Sequence, residues 1–258
     1  MEWIILIVAG VLVPVFPLSW IFNRLVDSAP SFWGRAMAIL VLPQLGILLL
    51  YDAAPLQHPL PAGVQRAWLM LALFTAVFYA YRAVSAREIS IWARLTASSG
   101  LTLTWLLVAG GVSKHGVELF ALAWSLPAAL LMIWAGILAQ RMGGAYLGLR
   151  GGLATALPRL TGLITLSALA LVATPVFPGF FALLHVFKLL SLSWLWPLLI
   201  LLMIWGWSIG TLLQDLLFGL YEGEPMTDIS PVTTVAGGAV LFLFALFGLI
   251  WSGAWIGI

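Results

Sequence analysis

Between Leu119 and Gln140 the chain carries no Asp, Glu, Lys or Arg, and comparable apolar runs recur along its whole length. A backbone in hydrocarbon must satisfy its amides within its own segment or in a closed barrel, because no water is there to do it. These runs lack the apolar–polar alternation of a barrel strand, so they read as helices in a bilayer. Only 8% of residues are charged, against roughly 25% in a soluble domain, and 63% are hydrophobic, so a water-facing surface cannot be built. A mean hydropathy of +1.13, spread over the chain, excludes a single anchor on a soluble domain.

A hydrocarbon core of about 30 Å takes about 20 residues per helix, which divides residues 1–258 into eight or nine spans. The expectation is an all-α integral membrane protein forming a single polytopic domain. Spans fall near Trp3 to Phe22, Arg35 to Tyr51, Val64 to Tyr81, Ile91 to Gly111 and Leu119 to Gln140. Leu157 to Leu190, Trp194 to Leu220 and Val235 to Ile256 follow. The Leu157 to Leu190 stretch is too long for one span and contains Pro175, Pro178 and Gly179. Each proline removes a backbone donor and crowds the preceding turn, so a broken helix is expected near 174–181. Whether that stretch counts once or twice decides between eight and nine. The tetrapeptide Pro-Val-Phe-Pro also stands at Pro14 to Pro17, which reads either as an internal repeat or as recurrence in a low-diversity sequence. Met1-Glu2-Trp3 enters an apolar run with no basic segment before it, so a retained first helix and no signal peptide are expected.

The absence of cysteine removes disulfides, thiolate nucleophiles, iron–sulfur ligation and cysteine-based zinc sites. There is no glycine-rich phosphate cradle and no His-Glu-x-x-His, and a grouping of Ser191, His185 and Asp215 is the kind that arises by chance. No cofactor, metal or catalytic constellation is expected, and the scattered basic residues form no stripe for nucleic acid. Ionisable groups inside a span cost several kcal/mol, so each one requires a reason. Arg94 heads a face carrying Ser98 and Thr102 at helical spacing, which fits either a packing face of small residues or a hydrated path. His185 and Lys188 follow the proline break and read as a titratable pair, or as an interfacial histidine and a snorkelling lysine. Asp215, near Thr211 and Gln214, sits where a span ends and reads as a solvated acid. His185, Lys188, Arg94 and Asp215 are the candidates for an ion path. Trp3, Trp20, Trp33, Trp68, Trp251 and Trp255 stand near span ends, as aromatic belts do.

From about Arg87 onward the order of features becomes that of a known family. Ala135-Gly136 is followed by Gly151-Gly152-Leu153 and Leu157-Pro158, then by Leu166-Ser167-Ala168-Leu169-Ala170 and Pro175-Val176-Phe177-Pro178-Gly179-Phe180-Phe181. Upstream, Trp92 to Ser99 fits more loosely. The run resembles the antiporter-like subunits of respiratory complex I and of Mrp-type cation/proton antiporters, the proton-conducting membrane transporter family. Residues 87–190 carry the resemblance, 1–86 match weakly, and 191–258 supply the C-terminal spans. The chain is similar to a truncated relative containing mainly the second half of the family fold.

The departures bear on function. The family's His and Lys before the Ala-Gly fall on Trp124 and Ala128, and its second pumping charge falls on Leu183. Without titratable groups and water at those places, the midplane is dry. The resemblance therefore implies a structural or coupling subunit of a multisubunit proton- or ion-coupled complex, in the lipid bilayer of a prokaryotic inner (plasma) membrane. Its partners are other membrane subunits and a large soluble subunit, and the complex serves redox chemistry, cation antiport or inorganic-carbon uptake. The alternative is a transporter subunit conducting through His185 and Lys188.

Connections bearing Arg24 and Arg35, then Arg82, Arg87 and Arg94, then Arg141, Arg150 and Arg159 alternate with connections holding only Arg66 or Lys114. The arginine-rich set is expected in the cytoplasm and the polar stretch from Asp52 to Pro61 outside. Gly144→Cys and Leu56→Cys, each the single thiol of this cysteine-free chain, test this in intact cells. An impermeant thiol reagent should label Leu56→Cys alone, and labelling of Gly144→Cys alone reverses the orientation.

Overall fold

The computed structural model describes residues 2–52, 62–147, 152–219, 221, 223 and 225–256. The expected external stretch 53–61, Arg150, Gly151 and Glu222 lie outside the described residues, as do the side chains of Trp3 and Trp255. The helices in chain order are α1 (Glu2–Leu12), α2 (Ser19–Ser28), α3 (Phe32–Asp52), α4 (Ala62–Val84), α5 (Ile89–Leu101) and α6 (Thr104–Ala109). They continue as α7 (Lys114–Met142), α8 (Leu153–Ala156), α9 (Pro158–Leu171), α10 (Pro178–Leu189), α11 (Leu195–Leu217) and α12 (Pro231–Ile256). Among the described residues the only extended pairing is one isolated bridge between Glu88 and Tyr146.

Five helices, α3, α4, α7, α11 and α12, are long and apolar enough to cross a membrane. The remaining apolar helices come as three broken pairs, α1/α2, α5/α6 and α9/α10. The expected break is present: α9 stops at Leu171 and α10 starts at Pro178, which takes the first helical position where a missing N–H costs nothing. Ala173 (φ 56°) and Val176 (φ 96°) occupy the left-handed region between them. Gly179 is already inside α10, so the interruption lies slightly earlier than the residue pattern indicates.

Two stretches that read as continuous spans are interrupted. Trp3 to Phe22 divides at Pro14 to Pro17, so both copies of Pro-Val-Phe-Pro lie where a helix is interrupted. Ile91 to Gly111 divides at Thr102 and Leu103, where the backbone tightens into i to i+3 bonds: Leu103 N to Gly100 O at 3.1 Å and Trp105 N to Thr102 O at 3.2 Å. No proline marks that second site, which is why hydropathy passes over it.

The most buried of the five long helices is α7, which packs on α3, α5 and α9. Tryptophan has two places in this protein. Trp20, Trp33 and Trp196, near helix ends, are exposed, Trp207 is exposed in the middle of α11, and Trp92, Trp105, Trp124, Trp134 and Trp205 are core residues. The ring of Trp124 lies flat on Gly100, where a Cβ would stand 2.4 Å from two ring carbons. At the arginine-bearing end, Asp228 caps α9 from a distance, accepting from Arg159 N at 2.7 Å and Leu160 N at 3.3 Å. These are orphan donors of a first turn, and a carboxylate is favoured beside them. Arg159 Nη1 donates to Ile229 O at 3.2 Å and Arg141 Nη1 to Thr227 O, so the strand of chain before α12 is fastened to both α7 and α9.

Gly100→Ala should destabilise the purified protein by about 1–3 kcal/mol, because an aromatic core ring must move to admit the methyl group. Gly206→Ala, on an open face of α11 with no atom within 4 Å of the new Cβ, should be neutral or stabilising by up to about 1 kcal/mol. Thermal unfolding in detergent compares the two, and equal shifts contradict the packing described.

Candidate functional site

Ser19, Asn23 and Asp27 recur every fourth residue on α2, and Ser90, Arg94 and Ser98 do so on α5, with Thr102 next in the row just past its end. Residues four apart share one helix face. The two stripes meet antiparallel. Arg94 Nη1 lies 3.0 Å from Asp27 Oδ1 and donates to Asn23 O at 2.8 Å. One turn deeper, Asn23 Nδ2 donates to Ser98 Oγ at 3.1 Å and to Ser19 O at 2.8 Å. Tyr79 OH donates to Ser19 Oγ at 3.0 Å. The side chain of Arg94 is 14% exposed and that of Asp27 51%, so the seam opens to solvent at its acid and closes inward. Ser98 and Thr102 are fully buried, and Ser19, Asn23, Tyr79 and Ser98 bind one another. Asp27, Asn23 and Tyr79 were not anticipated as partners, although the spacing of Ser19, Asn23 and Asp27 is a visible signal.

Beyond the seam the interior is aromatic. Trp124 stands 4.9 Å from Trp205, centroid to centroid, and both are buried. Three indole donors are held by hydroxyls, Trp205 Nε1 to Ser99 Oγ at 3.1 Å, Trp92 Nε1 to Ser208 Oγ at 2.6 Å and Trp134 Nε1 to Ser167 Oγ at 3.2 Å, whereas Trp124 Nε1 and Trp68 Nε1 are buried with no partner among the described residues. The three places where the resemblance sets charges elsewhere, Trp124, Ala128 and Leu183, are 0%, 0% and 3% exposed. Thr96, Thr102, Thr104 and Ser125 are buried with no hydrogen-bond partner for their hydroxyls among the described residues.

His185 and Lys188 lie on α10 at the other end of the bundle. His185 is half-buried and lines a cavity of about 230 Å³ with His115 of α7 and Trp251 of α12, and Lys188 is exposed one turn on. Leu107 also lines that cavity, and from Arg94 to Leu107 the rise of α5 and α6, at about 1.5 Å per residue, is about 20 Å. Arg94 and His185 therefore belong to opposite ends, with the tryptophan-rich core between them. Asp215 is half-buried near the end of α11 and has no bonded partner among the described residues. At the break, Leu169 O accepts from Thr174 N at 3.2 Å and Thr174 Oγ1 at 2.9 Å. Gly248 of α12 lets the backbone at Pro178 approach so closely that a Cβ there would stand 2.7 Å from its nitrogen. Among the described residues no group of three or more His, Asp or Glu side chains is placed to hold a metal ion.

No family model and no curated protein matches the sequence. Solved structures do match. A chain of respiratory complex I from Thermus thermophilus with bound NADH superposes with a TM-score of 0.81 at 21% identity, over 98% of this chain and 58% of that one. A chain of the Mrp complex from Dietzia sp. DQ12-45-1b gives 0.78 at 16% identity, over 96% and 55%. A chain of the membrane-bound sulfane sulfur reductase, an archaeal respiratory membrane complex, gives 0.75 at 15%, over 96% and 52%. The agreement in three dimensions extends well past residues 87–190, where the motif resemblance ends. The protein is a multi-helical membrane chain with the fold of chains from respiratory complex I and the Mrp complex, and it spans a little over half of their length.

Proposed function

We propose that this chain is a structural and coupling subunit of a multisubunit, ion-coupled membrane complex, in which a neighbouring subunit carries the ion. The observation behind this reading is the burial of the uncharged side chains Trp124, Ala128 and Leu183, at the places where the resemblance sets charges elsewhere. A proton needs titratable groups or water at each step across a low-dielectric core. Trp124, Trp205, Leu101 and Leu103 are buried and none is titratable, and the buried hydroxyls of Thr96, Thr102, Thr104 and Ser125 carry no charge. The alternative, conduction through His185 and Lys188, has one observation in its favour, the cavity that His185 lines. That cavity serves only one end of the bundle.

In the proposed arrangement each broken pair makes one traverse, giving eight passes with the five long helices. The arginine-bearing end faces the cytoplasm of a prokaryotic cell. Other membrane subunits cover part of the apolar exterior, and a large soluble subunit meets one end. Which chemistry is served, redox, cation antiport or inorganic-carbon uptake, follows from the subunits that co-purify.

The test uses the intact complex carrying His185→Ala or Lys188→Ala. Both variants should keep the full ion-coupled activity of the complex, because neither residue lies on the ion's route. Loss of activity by about tenfold or more, with all subunits still assembled, transfers the route to this chain.

A further inference from the structure

The contact between Gly100 of α5 and the ring of Trp124 of α7 gathers polar groups around it. Within one turn of it stand the hydroxyls of Thr96, Thr102, Thr104 and Ser125 and the indole Nε1 of Trp124, each without a hydrogen-bond partner among the described residues. All five residues are 0% exposed. The backbone adds acceptors at the same level. A continuous helix would give the N–H of Leu103 to Ser99 O and that of Trp105 to Leu101 O, but at the jog they go to Gly100 O and Thr102 O. Pro127, inside α7, has no N–H to give to Ala123 O. Ser99, Leu101 and Ala123 are buried, so these carbonyls do not turn to bulk solvent.

A buried hydroxyl or carbonyl left unbonded is costly, and in a bilayer the groups freed where a helix is interrupted are satisfied by neighbouring side chains or by ordered water. Neighbouring side chains do not bond the five side-chain groups here. What fits is set by the groups themselves: the hydroxyls donate and accept, the indole donates and the carbonyls accept. An ion would meet no opposite charge, because α6 and residues 119–140 of α7 carry no ionisable side chain, and Arg94 of α5 is held at the arginine-bearing end by Asp27 and Asn23 O. A hydrocarbon group would leave the polar atoms unbonded. Water both donates and accepts, and a buried water typically makes about three such bonds. The polar seam leads to this level, since it opens to solvent at Asp27, runs inward to Ser98 and has Thr102 as the next residue of its row.

We propose that the level of Gly100 and Trp124 is a binding site for ordered water, which bridges the hydroxyls of Thr96, Thr102, Thr104 and Ser125 and the indole N–H of Trp124 to the carbonyls freed at the jog and at Pro127. Water bound at one level does not join the two ends of the bundle, so the site stands apart from the reading of the chain as a coupling subunit.

The test is radiolytic footprinting of the full chain in lipid nanodiscs, in which a brief X-ray pulse makes hydroxyl radicals from water in place and these oxidise the side chains beside it. Trp92, Trp124 and Trp134 are one residue type and all buried, and of the three only Trp124 has an indole N–H without a partner. Trp124 should be oxidised about fivefold faster than Trp92 and Trp134, because water lies against it. In the Thr104→Val, Ser125→Ala double variant its rate should fall toward theirs. Oxidation of Trp124 no faster than that of Trp92 and Trp134 in the unaltered chain overturns the proposal. Thermal unfolding in the same nanodiscs gives a second measurement. A hydroxyl that holds water loses a bond on substitution, so Thr104→Val and Ser125→Ala should each lower the midpoint by about 2–4 °C. A hydroxyl buried without any bond gains from an apolar replacement, so a rise in both variants also overturns the proposal.

Discussion

Every backbone amide and carbonyl that leaves a helix inside hydrocarbon must find a partner in the protein, and this chain leaves its helices three times within its apolar stretches. The rest of the architecture is arranged around those partners. At the first interruption Trp105 Nε1 donates to Val13 O at 3.0 Å, and Phe16 N donates to Thr75 Oγ1 at 3.0 Å. The second is closed by tight turns of its own backbone, and the third by Thr174 folding back on Leu169. The first two are also joined, because Trp105 belongs to α6 and reaches back to the break between α1 and α2.

The polar inventory of the interior follows the same economy. Hydroxyls of Ser99, Ser167 and Ser208 sit where an indole N–H requires an acceptor, so they bind helices together and bring no charge with them. An indole and a hydroxyl satisfy one another without the desolvation penalty that a buried carboxylate or ammonium carries. Among the described residues the Arg94–Asp27 ion pair stands at the arginine-bearing end, and His115 lies beside Glu118 at the other. Interior stability and interior conduction make opposite demands on the same positions. Trp124 and Ala128 are fully buried and uncharged.

Class, membrane setting and the long helices were legible in the sequence, because hydropathy and charge speak directly to a solvent of low dielectric. The break between α9 and α10 was legible from Pro175 and Pro178, since proline acts through local covalent geometry. The jog at Thr102 and Leu103 was not, because no residue there forbids a helix and the turn is visible only in its i to i+3 backbone bonds. Arg94 was found as a lone charge, but its acid lies on another helix far along the chain, and only the fold brings Asp27 to it. Trp92 and Trp205 are indistinguishable by type from the belt residues Trp20 and Trp33. What separates them is a serine opposite, which no local window contains.

The clamp at Asp228 has a mechanical meaning. Through it and the two arginines, the start of α12 is bolted to the start of α9 and the end of α7, so these three ends behave as one rigid plate. A push on residues 227–230, which carry these bonds, is then passed to α7 and α9 together. The next interruption along α9 is at 172–177, and α10 beyond it is packed on α12, where Gly248 admits the backbone at Pro178, so α9 and α12 both lead from the plate to α10. Force applied at one face of the membrane would in this way be delivered to the walls of the cavity near the other.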